Sequence, residues 1–277
     1  MQNAGLAALG LDWRYLAFEV IPPSLYWAIE GARVMGFVGL NLTLPHKLVA
    51  MELLDVFDES ARIWGAANTI RFEARDRRRR WRPVAEWTEP VAGVVRAKGF
   101  NTDADGLQQS LREDLGLKLL RGLGVLILGA GGASRVAALK LAAEGASPIY
   151  LVNRTVAKSE ALAAEMRRRF RRVKVVVGYP TGEVDLLVNA TSAGLKANDP
   201  LPLDETKFAF RQARAVYDMI YRPAETPLLE AAKAAGCQTA NGLGMLLHQG
   251  AKALEIWTGR PAPVKVMRAA LEKAIYV

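Results

Sequence analysis

One stretch constrains this chain more than any other: Leu123-Gly124-Val125-Leu126-Ile127-Leu128-Gly129-Ala130-Gly131-Gly132-Ala133-Ser134. Val125, Leu126, Ile127 and Leu128 have the length and branching of a buried strand. The residues that follow the glycines, Arg135-Val136-Ala137-Ala138-Leu139-Lys140-Leu141, have helical spacing. Strand, tight turn and helix is the setting in which a glycine loop receives a dinucleotide. Gly129 makes the turn, Gly131 lets the backbone approach a pyrophosphate, and the helix N-terminus offers free N–H groups. Ser134 occupies the third glycine position of the motif, so the motif alone also fits an ordinary strand-to-helix turn.

The next strand names the cofactor. Ile149-Tyr150-Leu151-Val152 runs into Asn153-Arg154-Thr155, where an NAD site would carry a carboxylate for the ribose 2′-hydroxyl. Arg154 stands there instead, with Lys158 one helical turn on. A guanidinium grips a 2′-phosphate through paired hydrogen bonds, and a carboxylate would repel it. The pattern therefore predicts NADP, with Thr155 capping the following helix.

Further strands are expected at 173–177, 185–189 and 215–218, with a short one near 238–240. Strands alternating with helices predict an α/β fold with a doubly wound, parallel, Rossmann-like sheet. The first hundred residues also alternate. Strands are expected at 15–20 and 37–42, a helix from Ser24 to about Val34, and another from Pro45 to about Leu54. A hairpin begins at 68–72, carries a long basic tip over 74–98, and returns to end at Phe100-Asn101-Thr102-Asp103. A helix follows from Gly106. Thr226-Pro227 opens another, and two helices close the chain over about 244–258 and 263–274. The division expected is a smaller α/β domain over 1–105, a cofactor domain over 106–240, and C-terminal helices over 241–277 that return to the first domain.

Composition excludes several classes. The chain has 277 residues, 51% of them hydrophobic, and one cysteine, so it can build a large core but no internal disulfide. Cys237 lies in a helix-to-strand turn and reads as a packing residue. His46 and His248 are too far apart in sequence to suggest a metal site, and none is expected. No apolar run approaches the length of a membrane span, and the first residues lack the basic region of a signal peptide. A cytoplasmic location is expected. The net charge of +9 is concentrated in two runs, 75–82 and 167–174. Neither carries a nucleic-acid motif, which favours solvated faces with a bias toward anionic ligands over nucleic-acid binding.

Reduction of a carbonyl needs a proton donor beside the oxygen and polar groups that fix the substrate. Asn41-Leu42-Thr43-Leu44-Pro45-His46-Lys47 places a lysine in the first helical turn after a strand, where the helix dipole opposes its charge. Gly65-Ala66-Ala67-Asn68-Thr69 and Phe100-Asn101-Thr102-Asp103 bracket the hairpin, so paired strands bring Asn68 to Asp103. Amide donor and carboxylate acceptor together suit vicinal hydroxyls. Asn189-Ala190-Thr191 and Tyr217-Asp218-Met219-Ile220-Tyr221 end later strands, at the edge where a cofactor passes.

Taken in order, these segments resemble the shikimate dehydrogenase family. The matches are Asn41-x-Thr43-x-Pro45-x-Lys47, Gly65-Ala66-x-Asn68-Thr69, Asn101-Thr102-Asp103-x-x-Gly106, Gly129-Ala130-Gly131-Gly132-Ala133, Asn153-Arg154-Thr155, Asn189-Ala190-Thr191, Tyr217-Asp218-x-x-Tyr221-x-Pro223 and Gln249. The resemblance implies NADPH-dependent reduction of 3-dehydroshikimate to shikimate. It makes Lys47 the catalytic lysine and Asp103 its partner. Asn68, Thr43, Tyr221 and Gln249 match substrate contacts, with Thr69 beside them. Gly129, Ala130, Gly131, Gly132, Ala133, Asn153, Arg154, Thr155, Lys158, Thr191, Met219, Gly242 and Met245 match cofactor contacts, although the family often has arginine where Lys158 stands.

Two departures stand out. Family members usually carry a strand and a Ser-x-Ser-Pro segment, which binds the substrate carboxylate, just before the equivalent of Gln2-Asn3. The expectation here is either a truncated start or weak substrate binding, with an exposed sheet edge. The basic hairpin is also expanded. A quinate/shikimate paralogue and a non-catalytic NADP-binding protein stay open as alternatives, as do monomer and homodimer.

Overall fold

Two sheets organise the chain, one mixed and one wholly parallel. The computed structural model describes residues 1–88, 91, 93–196 and 198–276. They group into two units: Met1–Asp103 with Gln249–Ala274, and Ala104–His248 with the residues from Ile275 onward.

The first unit begins with α1 (Gln2–Ala8), α2 (Leu25–Val34), β1 (Gly39–Asn41), α3 (His46–Leu53), β2 (Val56–Phe57) and α4 (Glu59–Trp64). Then come β3 (Thr69–Arg75), β4 (Trp81–Pro83) and β5 (Val95–Phe100). The strand order is β1-β3-β5-β2, with β4 also on β3. β3 is antiparallel to β1, β4 and β5, whereas β2 is parallel to β5. Ile70 and Phe72 alternate along β3 and are fully buried, in one cluster with Leu25, Ile29 and Ala32 of α2 and Ala50 of α3. Side chains of this size contribute about 1.5–3 kcal/mol each on burial.

Segment 15–20 is not a strand. Its Tyr15 N–H donates to Asn3 Oδ1 at 2.7 Å and its Tyr15 hydroxyl to Asn41 Oδ1 at 3.0 Å. Leu16 and Phe18 are 64% and 62% exposed. Apolar alternation yields a strand only where a neighbour completes the ladder. Among the described residues no strand pairs with this segment, and β1 is an edge of its sheet.

The basic stretch 74–98 also departs from a single long loop. β3 extends to Arg75, β5 already begins at Val95, and β4 folds back on β3 with Glu73 opposite Pro83 and Arg75 opposite Trp81. Asp76 closes the turn between them, its Oδ1 accepting from Arg78 N and Arg80 N at 2.9 Å each. The Trp81 ring receives the guanidinium groups of Arg75 and Arg96 at 4.7 and 4.2 Å from its centroid. Glu89, Pro90 and Ala92 of this stretch lie outside the described residues.

The second unit opens with all but the first residue of α5 (Asp103–Asp114), which starts three residues before the expected Gly106. Its elements are β6 (Val125–Leu128), α6 (Gly132–Ala143), β7 (Ile149–Val152), α7 (Val156–Arg169), β8 (Val175–Val177), β9 (Val184–Asn189), β10 (Ala213–Asp218), α8 (Pro227–Ala234) and β11 (Gln238–Asn241). The six strands are parallel in the order β11-β10-β9-β6-β7-β8. The chain winds outward from β6 through β7 to β8, then crosses to β9 and winds the other way. This is the doubly wound α/β fold, and its switch point lies between β6 and β9. Leu126, Leu128, Leu187 and Val216 form the core beneath α8, with Leu228, Leu229 and Ala232.

Two helices close the chain, α9 (Leu243–Thr258) and α10 (Val264–Tyr276). Within the first unit, Trp257 Nε1 donates to Ile70 O at 2.8 Å, and Gln2 Nε2 donates to Gly250 O at 2.9 Å.

Candidate active site

In the first unit the polar cluster grows out of the register of β3 and β5. Thr69 pairs with Phe100, and Asn68 N donates to Phe100 O at 3.0 Å. The two Asn-Thr pairs, 68–69 and 101–102, thereby meet just beyond the strand ends. α3 starts at His46, so Lys47 lies in its first turn, and Ala67 N donates to Lys47 O at 2.9 Å. Lys47 Nζ donates to Asp103 Oδ2 at 2.7 Å. The two side chains are 24% and 10% exposed, which makes this a largely buried, charge-assisted contact.

The other oxygen of Asp103 is taken by Asn68, whose Nδ2 donates to Oδ1 at 2.8 Å. Asn68 is itself buried, and its amide makes further bonds to protein groups. Nδ2 also donates to Thr102 Oγ1 at 3.0 Å, while Oδ1 accepts from Thr102 N at 2.9 Å and from Thr69 Oγ1 at 3.1 Å. Asn41 Nδ2 donates to Thr69 Oγ1 at 3.0 Å. Asn101 Oδ1 accepts from Asp103 N at 3.0 Å at the start of α5. Asn41, Asn101 and Thr102 belong to the matched motifs, yet sequence reasoning does not single them out as site residues; the repeated Asn-Thr is the signal for Thr102. Thr43 is exposed just before α3, and its carbonyl accepts from His46 N at 2.9 Å. Gln249 is half-buried in α9.

The second unit carries a separate polar edge, where a strand end turns directly into a helix start. Gly129 has φ +108°, and a Cβ there would fall 2.6 Å from Ser134 Oγ and 3.0 Å from Ala190 O, so only glycine fits. Gly131 and Gly132 face open space, with nothing within 4 Å of a notional Cβ. No side chain caps α6 at Gly131 and no acidic residue occupies its first turn. An open approach to uncapped helix N–H groups fits a pyrophosphate. Ala130 is half-buried and Ala133 exposed at the same turn.

At the end of β7, Asn153 Nδ2 donates to Thr155 O at 2.9 Å. Thr155 is at the N-cap of α7, but its side chain makes no capping bond. Arg154 and Lys158 are both exposed. Their chemistry, two cations and no carboxylate at the strand end, fits a phosphate on the ribose.

Beyond β9, Thr191 N and Oγ1 donate to Asn189 Oδ1 at 3.0 and 2.8 Å. Met219 N donates to Asn189 O at 2.9 Å, and Gly242 N to Ile220 O at 3.0 Å. Met245 is half-buried in α9, and Tyr221 is 38% exposed with its carbonyl accepting from the Tyr276 hydroxyl at 3.0 Å. Burial pushes the Asp218 carboxyl up, against the hydrogen bonds of Thr226, Ile220 and Asn189. No group of three or more metal-ligating side chains and no helix long and apolar enough to cross a membrane occurs among the described residues.

Family models match three stretches of the chain. Residues 1–70 match the shikimate dehydrogenase substrate binding domain, residues 114–198 shikimate / quinate 5-dehydrogenase, and residues 242–272 the shikimate 5′-dehydrogenase C-terminal domain. A shikimate dehydrogenase (NADP(+)) of Methanopyrus kandleri is 41% identical over 98% of this chain and 89% of its own length. The crystal structure of shikimate 5-dehydrogenase from Thermus thermophilus, in complex with NADP(H) and shikimate, is 34% identical with a TM-score of 0.79, covering 99% of this chain and 92% of that one. The ligand-free 5-ketofructose reductase of a Gluconobacter strain is 35% identical with the same TM-score of 0.79, covering 98% and 91%.

Proposed function

This chain belongs to the shikimate dehydrogenase family, and from that premise we propose that it reduces 3-dehydroshikimate to shikimate with NADPH, using Lys47 as general acid. The observation that carries the reading is the 2.7 Å contact from Lys47 Nζ to Asp103 Oδ2 in a largely buried setting. When bound, the reduced nicotinamide supplies the hydride to the substrate carbon. Lys47 gives one proton from Nζ to the carbonyl oxygen as it becomes a hydroxyl, and takes that proton back in the oxidative direction. Asp103 holds the ammonium in place, and Asn68 holds Asp103.

The glycine turn 129–133 and the start of α6 would receive the pyrophosphate, and Arg154 and Lys158 the 2′-phosphate, flanked by Asn153 and Thr155. Thr191, Met219, Gly242 and Met245 would line the remaining part of the cofactor. In the first unit Thr43, Asn68 and Gln249 are assigned to substrate. The substrate role is given to Met1–Asp103 with Gln249–Ala274 and the cofactor role to Ala104–His248, so the start of α9 goes with the cofactor unit and not, as the sequence suggests, with the first domain. A cytoplasmic location accompanies a biosynthetic reductase with a single cysteine.

The test is Lys47→Ala, followed by NADP-linked shikimate oxidation and NADPH titration. Turnover falls by about 10²–10⁴-fold, the range for loss of a general acid or base, while NADPH affinity stays near wild type. Unchanged turnover with weakened cofactor binding overturns the assignment.

A further inference from the structure

Asn189 and Asp218 stand side by side at the carboxyl edge of the parallel sheet. The strand register aligns Leu128, Asn189, Asp218 and Asn241 in one row across β6, β9, β10 and β11. Asn189 and Asp218 are both fully buried, and Asn189 Nδ2 donates to Asp218 Oδ1 at 3.0 Å. From this pair the bonds run outward into loops. Asn189 holds Thr191, as described above. Asp218 Oδ1 also accepts from Ile220 N at 3.0 Å, and Oδ2 accepts from Thr226 Oγ1 at 2.6 Å. Thr226 Oγ1 in turn accepts from Leu229 N at 3.4 Å at the start of α8. At Gly242 a Cβ would fall 2.1 Å from Met219 O, so the crossing of these two loops has no slack.

A buried carboxylate with hydrogen-bond donors but no cation is expensive to keep. Among the described residues no ion pair reaches Asp218. Packing alone would be served by an apolar side chain of similar size. What the carboxylate supplies is acceptor capacity on two oxygens at once, and its bonds end on the loops after β9 and β10.

The sheet order says where those loops matter. Arg154, after β7, marks the adenosine side of the glycine turn, and β9, β10 and β11 lie on the other side of β6. Resting on the NADP reading above, we infer that Asp218 is a positioning residue: without touching the cofactor, it sets the loops that receive its nicotinamide half.

Calorimetric titration with two probes, NADPH and adenosine 2′,5′-bisphosphate, tests this in Asp218→Asn, Thr226→Val and Thr226→Ser. The first two variants lose about tenfold or more in NADPH affinity, the scale of one or two hydrogen bonds to a charged group, and keep wild-type affinity for the bisphosphate. Thr226→Ser retains both. Equal losses for the two probes, or none for either, overturn the inference. If the wild-type protein binds neither probe, the NADP reading has failed and this inference falls with it. Should Asp218→Asn not fold, the Thr226 pair makes the comparison alone.

Discussion

Asn68 and Asp103 meet at 2.8 Å, amide nitrogen to carboxylate oxygen, on the side of the carboxylate that Lys47 does not use. The asparagine thus fixes the orientation of the group that fixes the lysine. Asn68→Ala removes one hydrogen bond to a charged group, roughly 1.5–3 kcal/mol, and lowers kcat/KM by about 10- to 100-fold. Steady-state kinetics, with a thermal melt to show the variant is folded, check the outcome; wild-type kcat/KM would mean that Asp103 is oriented by its other contacts.

Cofactor preference is predicted to depend on Arg154. Its loss removes a guanidinium from the end of β7 without disturbing any described ion pair. Arg154→Ala therefore lowers kcat/KM for NADPH by about tenfold or more, with little change for NADH. Paired measurements with the two cofactors give the ratio directly, and an unchanged ratio would place the 2′-phosphate elsewhere.

Two helix starts give contrasting stability predictions. Asp58 caps α4, accepting from Ser60 N at 3.0 Å and Ser60 Oγ at 2.8 Å, whereas Thr155 makes no side-chain cap on α7. Asp58→Ala costs about 1 kcal/mol, the usual value of a lost cap, while Thr155→Ala costs only a few tenths. Urea denaturation midpoints of the cofactor-free proteins separate the two.

A third stability prediction concerns acid. Burial alone would push the Glu73 carboxyl up, but the hydrogen bonds and charges of Arg71 and Arg96 outweigh it and hold it below the ordinary range. A lowered carboxyl contributes stability at pH values above its unfolded pKa and loses it as pH falls through the folded one. Glu73→Gln leaves two half-buried guanidiniums unpaired and costs about 3 kcal/mol at neutral pH. The variant also shows a shallower loss of stability below about pH 4, because the titrating group is gone. Unfolding free energies measured across the acid range test both parts.

The parallel sheet was readable because its signals are local. Val125 to Leu128, the glycines after them, and the cations after β7 each follow one another in sequence. Strand starts moved by only one or two residues, as at Val175 and Val184. The mixed sheet was harder, because its strands depend on what lies beside them. Segment 15–20 has the composition of a strand but no strand paired with it among the described residues, whereas Trp81–Pro83 is a strand hidden in a run of arginines because Glu73 and Arg75 are there to pair with it. β2 and α4 were not foreseen, although Asp58 and Gly65 stand at the cap positions of α4. At the candidate site, the meeting of Asn68 with Asp103 followed from hairpin pairing. The burial of Asn68 did not, since it depends on Thr69 and Thr102 closing over the amide.

The turn at Asp76 lies at the opposite end of β3 from Thr69, about 20 Å away at ~3.3 Å per strand residue. A change in the length of that tip reaches the lysine–aspartate pair only through a strand whose register is pinned by three neighbours. The hairpin is therefore a natural splice point for a purification tag or a fluorophore, tolerant of cargo because the paired strands behind it hold their register.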